Sequence, residues 1–312
     1  MLGEIIKKHR INTIKTDQII QYGDIHDGAI EFPGKVDQGY VEVGYFYGDI
    51  KPKNIIVISS QVGCPSKCSF CELGNEKFVR NLKANEMYEQ VILMLQIAKD
   101  YNLDINTKHK VSLAKSGDPF FNPETVKALE KIAELEFSFK VSTIFPNTKR
   151  AMNIFNNITL FAKDYSEPVQ YQISLISTSE EYRSKVTGIN LMPFNKIREA
   201  GEYWKENNPE GRKINLSLIL DNNVPCDVDI IYKTFPPDLF RFRFRNYMPT
   251  LHGKEKDLIA IENERLQLIK DQFEDKGYEV GDWATPTNME QKFGLASNVT
   301  LKRYLKMRNL KL

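Results

Sequence analysis

Three cysteines fall within eight positions, in Gln61-Val62-Gly63-Cys64-Pro65-Ser66-Lys67-Cys68-Ser69-Phe70-Cys71, and a fourth, Cys226, stands alone. Spaced by three and then two residues, three thiolates can wrap one corner of a cubane iron–sulfur cluster, each holding a separate iron. Four cysteines would saturate a four-iron cluster; three leave one iron open to bind and activate a small molecule. The competing chemistry is a closed zinc site, which needs four protein ligands. No histidine lies near the loop (His9, His26, His109 and His252 are the four in the chain), and Cys226 joins only if the fold brings it there. A secreted disulfide framework would want an even set of cysteines spread along the chain. The pattern points to a cluster, and Cys226 reads as an ordinary buried or surface thiol.

A second group lies in residues 240–246, FRFRFRN, where period-two alternation puts Arg241, Arg243 and Arg245 on one face of a strand. Facing inward, three guanidiniums would bind phosphate or carboxylate bidentately. Facing outward, they would be solvated.

The elements that must position these residues alternate. After an irregular start, residues 54–60 (NIIVISS) read as a short strand and 86–100 as a helix. Residues 111–114 read as a strand, and Asn122-Pro123 as an N-cap with proline at the first helical position, opening a helix to about Leu135. Strands at 139–145, 169–177, 213–220 and 240–246 alternate with helices at 148–155, 194–207 and 228–234. A helix at 257–275 and a less regular C-terminus follow. Six β-then-α units predict parallel strands with crossover helices, as a barrel or an open doubly wound sheet. The economical organisation is an N-terminal extension at 1–45, a core at 46–265 and a C-terminal extension at 266–312.

Composition sets outer bounds. The 312 residues are 41% hydrophobic and 27% charged, with a net charge of +2, so the overall field makes no case for a polyanionic partner. No stretch approaches the roughly 20 apolar residues of a membrane span, and no secretory signal opens the chain, so a cytoplasmic protein without a membrane partner is expected. From Gln291 onward the chain carries Lys292, Lys302, Arg303, Lys306, Arg308 and Lys311 and no acid, a tail suited either to phosphates or to solvent.

Cys64-x-x-x-Cys68-x-aromatic-Cys71, with Phe70 as the aromatic, resembles the signature of the radical S-adenosylmethionine superfamily. The resemblance implies an α/β fold, a partial (β/α)6 barrel, with a [4Fe-4S] cluster and S-adenosyl-L-methionine as cofactors. In that superfamily the methionine part of the cofactor chelates the open iron, and an electron cleaves the sulfonium to a 5′-deoxyadenosyl radical. Flanking residues from about Gly39 to Ala296 are similar to the RlmN/Cfr branch, which methylates adenosine in RNA. They include Ser59-Ser60-Gln61 before the cluster and Phe78-Val79-Arg80-Asn81-Leu82 after it.

By this resemblance Phe70, Gly117, Asp118, Pro119, Ser142, Ser174 and Asn246 contact the cofactor, Asp118 holding its amino group, and Glu42 is an active-site glutamate. Two positions depart mildly from the branch: Asp118 is one methylene shorter than its glutamate, and Ile176 replaces the histidine of its Ser-Leu-His. Two others matter more. Where the branch has its resolving cysteine, seven residues before the first cluster ligand, this chain has Val57. Where it has the methyl-carrying cysteine, this chain has Phe293-Gly294-Leu295-Ala296. Neither valine nor phenylalanine supplies a thiolate's nucleophilicity or leaving ability. Only about forty residues precede Glu42, so the branch's N-terminal RNA-binding region is also not expected.

Three functions compete on this reading. The first is deoxyadenosyl-radical hydrogen abstraction from a small or nucleotide-like anionic substrate. The second is RNA adenosine modification without the methyl-cysteine, and the third a non-catalytic cluster-binding relative. The intact cysteine trio and the Gly117-Asp118-Pro119 loop argue against the third. The missing cysteines favour the first, with a reductant such as flavodoxin or ferredoxin as partner.

Overall fold

The computed structural model describes residues 2–24, 26–48, 53–105, 107–248, 250–282 and 298–312. Ten strands form one sheet: β1 (Ile20–Gly23), β2 (Asp27–Val36), β3 (Gly39–Gly48), β4 (Lys53–Ile58), β7 (Lys110–Leu113), β8 (Ser138–Thr143), β9 (Val169–Ile176), β10 (Ile214–Leu220), β11 (Phe240–Asn246) and β12 (Val280–Asp282), neighbours in that order. A two-stranded ribbon, β5 (Gln61–Val62) with β6 (Arg80–Asn81), closes the cysteine loop. From β4 to β12 every pairing is parallel. Parallel neighbours require crossovers, and these are α2 (Ala84–Asp100), α3 (Thr125–Ala133), α4 (Lys149–Asp164), α5 (Glu180–Thr187) with α6 (Phe194–Asn207), α7 (Val228–Thr234), and α8 (Leu251–Lys254) with α9 (Asn263–Asp275). The first helix, α1, is Leu2–Lys8, and the last described, α10, is Val299–Met307.

The six parallel units read from the sequence are present, joined by β12 as a seventh parallel strand. Among the described residues β1 and β12 do not pair, so the sheet is an open, partial barrel. Its two faces differ sharply. The residues between sheet and helices are apolar and buried, among them Val111, Leu113, Phe139, Val141, Tyr171, Ile173, Leu216, Leu218, Phe240 and Phe242. The opposite face carries Ser112, Lys140, Ser142, Gln170, Gln172, Ser174, Asn215 and Ser217, each in register with a polar residue of the next strand. Burying hydrocarbon on one face only leaves a polar interior, which suits a chamber rather than a filled core.

Three expectations need correction. The N-terminus is not irregular, because β1, β2 and β3 form an antiparallel meander continuous with β4. Glu31 and Glu42, fully buried within otherwise apolar strands, together with Gly28, Pro33 and Gly34, obscure the alternation that would announce strands. Asn122 stands two residues ahead of the helix cap at Glu124, its Oδ1 accepting from Glu124 N–H at 3.0 Å. Its amide donates to the Ser60 and Leu82 carbonyls at 2.8 Å each, tying the second crossover loop to the cysteine loop, and α3 begins at Thr125. The stretch after 257 becomes helical only at Asn263.

Candidate functional site

The C-terminal ends of the parallel strands open into a cleft of about 1090 Å³, part of it open to solvent. Cys64, Cys68 and Cys71 line one wall; Gly117, Asp118, Ser142, Thr143, Gln172, Ser174, Ser217 and Ile219 line the strand ends facing them. Ligand sites in parallel sheets form at such carboxyl ends, where loops diverge.

The cysteine loop is held by backbone bonds rather than by its own packing. Lys67 N–H donates to the Thr187 carbonyl at 2.9 Å and Ser69 N–H to Val186 at 2.8 Å, fastening the loop to the end of α5. Cys71 N–H donates to the Cys68 carbonyl at 3.1 Å, giving the turn that brings the last two thiols to the same side. Gly63, at φ +72, passes so close to the Lys77 carbonyl that a Cβ would lie 2.0 Å from its oxygen, so the entry to the loop requires glycine. None of the three thiols is in a disulfide, and Cys68, whose Sγ lies 3.0 Å from Ser66 Oγ, is the most buried. Burial, with mutual repulsion as thiolates, pushes Cys64 up and Cys68 up to about 12. Iron bound to these thiolates would take the place of the protons that burial retains.

Among the described residues no three histidine, cysteine or acidic side chains converge on one ion position. Thiolates that each hold a different iron have no need to. The facing wall has vacant polar valences: Ser142 Oγ, Gln172 Nε2 and Ser217 Oγ are buried without a hydrogen-bond partner. Buried polar atoms ordinarily find partners. Thiols outside any disulfide on one side and unpaired donors and acceptors on the other fit a cluster and a polar cofactor held between them.

The loop after β7 shapes the cleft's edge. Ser59 Oγ donates to the Glu42 carbonyl at 2.6 Å and accepts from Ser116 N–H at 2.9 Å, while Gln61 Oε1 accepts from Asp118 N–H at 3.0 Å. Gly117 sits at φ +87, where a Cβ would lie 2.4 Å from that of Gln61. Gly117→Ala is therefore expected to cost about 1–3 kcal/mol in backbone strain. Urea unfolding should show it, together with weaker S-adenosylmethionine binding.

Several expected site residues take a different part. Asp118 borders the cleft, but its carboxylate accepts from Phe120 N–H at 2.8 Å, Thr143 Oγ at 2.9 Å and Ile144 N–H at 2.7 Å. Phe120 belongs to its own loop, and the other two donors to the end of β8. Despite those three donors, burial raises its pKa to about 6. Pro119 lies beneath the loop, where its carbonyl accepts from Thr125 Oγ at 2.7 Å, and does not line the cleft. Phe70 lines the cleft and packs with Cys68, Ile144, Ile176 and Leu191. Ser142 and Ser174 also line it. The Asn246 and Arg245 side chains, Lys292 and segment 293–296 lie outside the described residues.

Glu42 is fully buried and does not reach the cleft wall. Its Oε1 accepts from Lys115 Nζ at 2.7 Å and Asn298 N–H at 2.8 Å, and its Oε2 from Leu301 N–H at 2.7 Å. Lys115 also pairs with Glu31 at 2.5 Å. Burial would lower the lysine, but Glu31 and Glu42 together raise it, so it stays an ammonium. Glu42 thus positions Lys115 and the start of α10, both of which bring residues to the cleft. Neither Lys115 nor Asn298 stood out in the sequence; the only signal was a lysine directly after an apolar strand and beside Ser116-Gly117-Asp118-Pro119.

Arg241 and Arg243 face inward. Arg243 is in register with Ser217, a cleft-lining residue, and Arg241 with Asn215, while the intervening Phe240 and Phe242 are buried on the helix side. Neither lines the cleft, and Arg241 lies 3.7 Å from the exposed Glu279. Cys226 is half-buried outside the cleft, its thiol pushed up to about 12 by burial. Val57, paired with Gly44 and Ser112, stands on the inward face where the branch has a cysteine. On α10, Arg303, Lys306 and Arg308 are exposed while Leu301, Tyr304 and Leu305 are buried with Leu73 beside the cysteine loop.

No family model matches the chain. Among curated proteins it is 29% identical over 240 residues to a probable dual-specificity RNA methyltransferase RlmN of Caldanaerobacter subterraneus subsp. tengcongensis, covering 76% of this chain and 65% of that one. It is 24% identical over 287 residues to the protein so named in Staphylococcus carnosus, covering 86% and 73%. The chain is similar to the RlmN/Cfr branch of the radical S-adenosylmethionine superfamily. It spans about two thirds of the length of the curated relatives it matches. The fold of this RlmN/Cfr-like chain agrees with the solved structure of a radical SAM methyltransferase from Sphaerobacter thermophilus, with a TM-score of 0.71 at 17% identity over 90% of this chain and 80% of that one. Among the described residues no helix is long and apolar enough to cross a membrane.

Proposed function

We propose that this protein is a radical S-adenosylmethionine enzyme that abstracts hydrogen from a small or nucleotide-like anionic substrate held inside its barrel. The supporting observation is that three thiols outside any disulfide and three buried polar atoms without a hydrogen-bond partner, Ser142 Oγ, Gln172 Nε2 and Ser217 Oγ, face each other across one cleft. Cys64, Cys68 and Cys71 would hold a [4Fe-4S] cluster, and the serines and Gln172 would orient the cofactor's polar groups. When bound, these groups supply the electron and the 5′-deoxyadenosyl radical. An external reductant such as flavodoxin or ferredoxin would recharge the site. Phe70, Ile144 and Ile176 line the cluster side with hydrocarbon and keep water from it. The core at 46–265 carries this chemistry, and the flanking segments 1–45 and 266–312 brace it.

RNA methylation in the manner of the relatives' name is the second reading, favoured by their sequence similarity. Against it stands the thiol inventory: the chain has four cysteines, three in the cluster loop and Cys226 outside the cleft. No thiol remains to carry or resolve a methyl group. One experiment decides. With the cluster reconstituted anaerobically, cofactor and reductant should yield 5′-deoxyadenosine without S-adenosylhomocysteine. Equal formation of both, with label transferred to RNA, would overturn the proposal.

A further inference from the structure

The end of β9 departs from the geometry of its own strand. Ser174 pairs with Ser217 of β10, but the next residue of β10, Leu218, pairs with Ile176, so that Leu175 is skipped. The extra residue is a β-bulge, which parallel pairs rarely carry. The chain leaves the bulge in a γ-turn: Ser177 N–H donates to the Leu175 carbonyl at 2.8 Å around Ile176, whose φ is +70. At positive φ such a turn is the strained form, and a β-branched residue is an outlier there. Glycine would stand at this position without strain. The exit of the turn is pinned, as Ser177 Oγ donates to the Pro225 carbonyl at 2.7 Å and Thr178 N–H to the same oxygen at 3.2 Å.

The side chain placed by this turn is 1% exposed, in one apolar cluster with Cys68, Ile144 and Leu191, against which Phe70 and Cys71 pack. The adjacent strand end repeats the geometry, since Phe145, directly after Ile144, lies at φ +55. Next to the main cleft is a smaller void of about 230 Å³, whose walls include Ile176 and Phe70 together with the polar Ser69, Tyr182 and Asp221. Ser69 Oγ is buried without a hydrogen-bond partner. Ile176 thus borders both this polar space and the apolar cluster around Cys68.

We propose that Ile176 is a positioning residue: the strained turn holds its hydrocarbon against the segment Cys68–Cys71 and keeps water in the neighbouring void away from the Cys68 thiolate. The inference rests on the function proposed above for what that thiolate holds. Strained backbone persists where the surroundings over-determine it, and here they fix a dry flank for the cysteine loop. Reduction at this loop adds a negative charge, which a hydroxyl or water beside Cys68 would stabilise. Hydrocarbon in that place keeps the reduction potential low.

Two pairs of variants test the strain and the dry flank in turn. In the metal-free protein, Ile176→Gly and Ile176→Ala both lose the side chain, and only the alanine keeps the strain. The glycine variant should unfold at higher urea, with a folding constant about tenfold larger, the reverse of the usual order of these two residues. Ile176→Val and Ile176→Thr are equally branched and nearly isosteric with each other, and differ by a methyl against a hydroxyl. With the cluster reconstituted anaerobically, the midpoint potential of the threonine variant should lie above that of the valine variant, which should match the unaltered protein. Iron should also leave the threonine variant faster in air. An alanine variant as stable as the glycine one, or equal potentials with valine and threonine, would each overturn the inference about Ile176 and leave the proposed function standing. Failure of the unaltered protein to take up iron would overturn that function, and the inference with it, whatever the order of the urea midpoints.

Discussion

Replacing any one of Cys64, Cys68 or Cys71 with alanine is expected to strip the reconstituted protein of most of its cluster iron and lower deoxyadenosine formation about a thousandfold or more, equivalent to about 4 kcal/mol of barrier. The effect is large because each thiolate holds its own iron and no neighbour can substitute. Cys226 lies outside the cleft, and no described histidine lines it. The loop by itself resists ionisation, as burial holds Cys64 and Cys68 protonated, so a cluster with two ligands must bind against that bias without full compensation. Cys226→Ala is the control, with iron content and turnover unchanged. Full iron and turnover in Cys68→Ala would remove the cluster from the account of this protein.

The second large effect is one of stability. Lys115→Met leaves Glu31 and Glu42, 1% and 0% exposed, without the ammonium between them. Removing one partner of a buried ion group costs about 3–5 kcal/mol. The loss should depend on pH. Burial already pushes the Glu42 carboxyl above its usual range even with Lys115 present, and without the lysine it rises further. A carboxyl raised in the folded state keeps a proton that the unfolded chain gives up, so stability is lost as pH rises from the ordinary carboxylate range through the raised value. Urea unfolding of the variant should therefore show a smaller deficit at pH 5 than at pH 8. A deficit that is small or independent of pH would mean that the trio contributes little.

How much of this was legible in the sequence follows from the range of the interactions involved. The cysteine loop and the parallel units were readable because their signals are local: a fixed spacing, apolar runs and helix-length periods. The arginine strand was half readable, since FRFRFR fixes alternation but not which face turns inward; that depends on Ser217 and Asn215 of the neighbouring strand. The Glu31–Glu42–Lys115 trio was not readable. Its members lie 73 and 84 residues apart along the chain and look, one at a time, like charges spoiling a strand. Asp118 lies in the loop after β7 that borders the cleft, but its partners Thr143 and Ile144 belong to another strand end and take up the carboxylate.

The Glu42 carboxylate that receives Asn298 and Leu301 binds residues 256 and 259 positions away, and Ser116 reaches Asn298 across 182. Pairings so remote in sequence are the slowest to form, because the entropy of closing the loop is lost before the contact rewards it. During synthesis the barrel strands can assemble while the cleft is still without Asn298. The thiol loop is therefore accessible on one side until the final helix emerges and docks. Iron delivery has its easiest path in that interval.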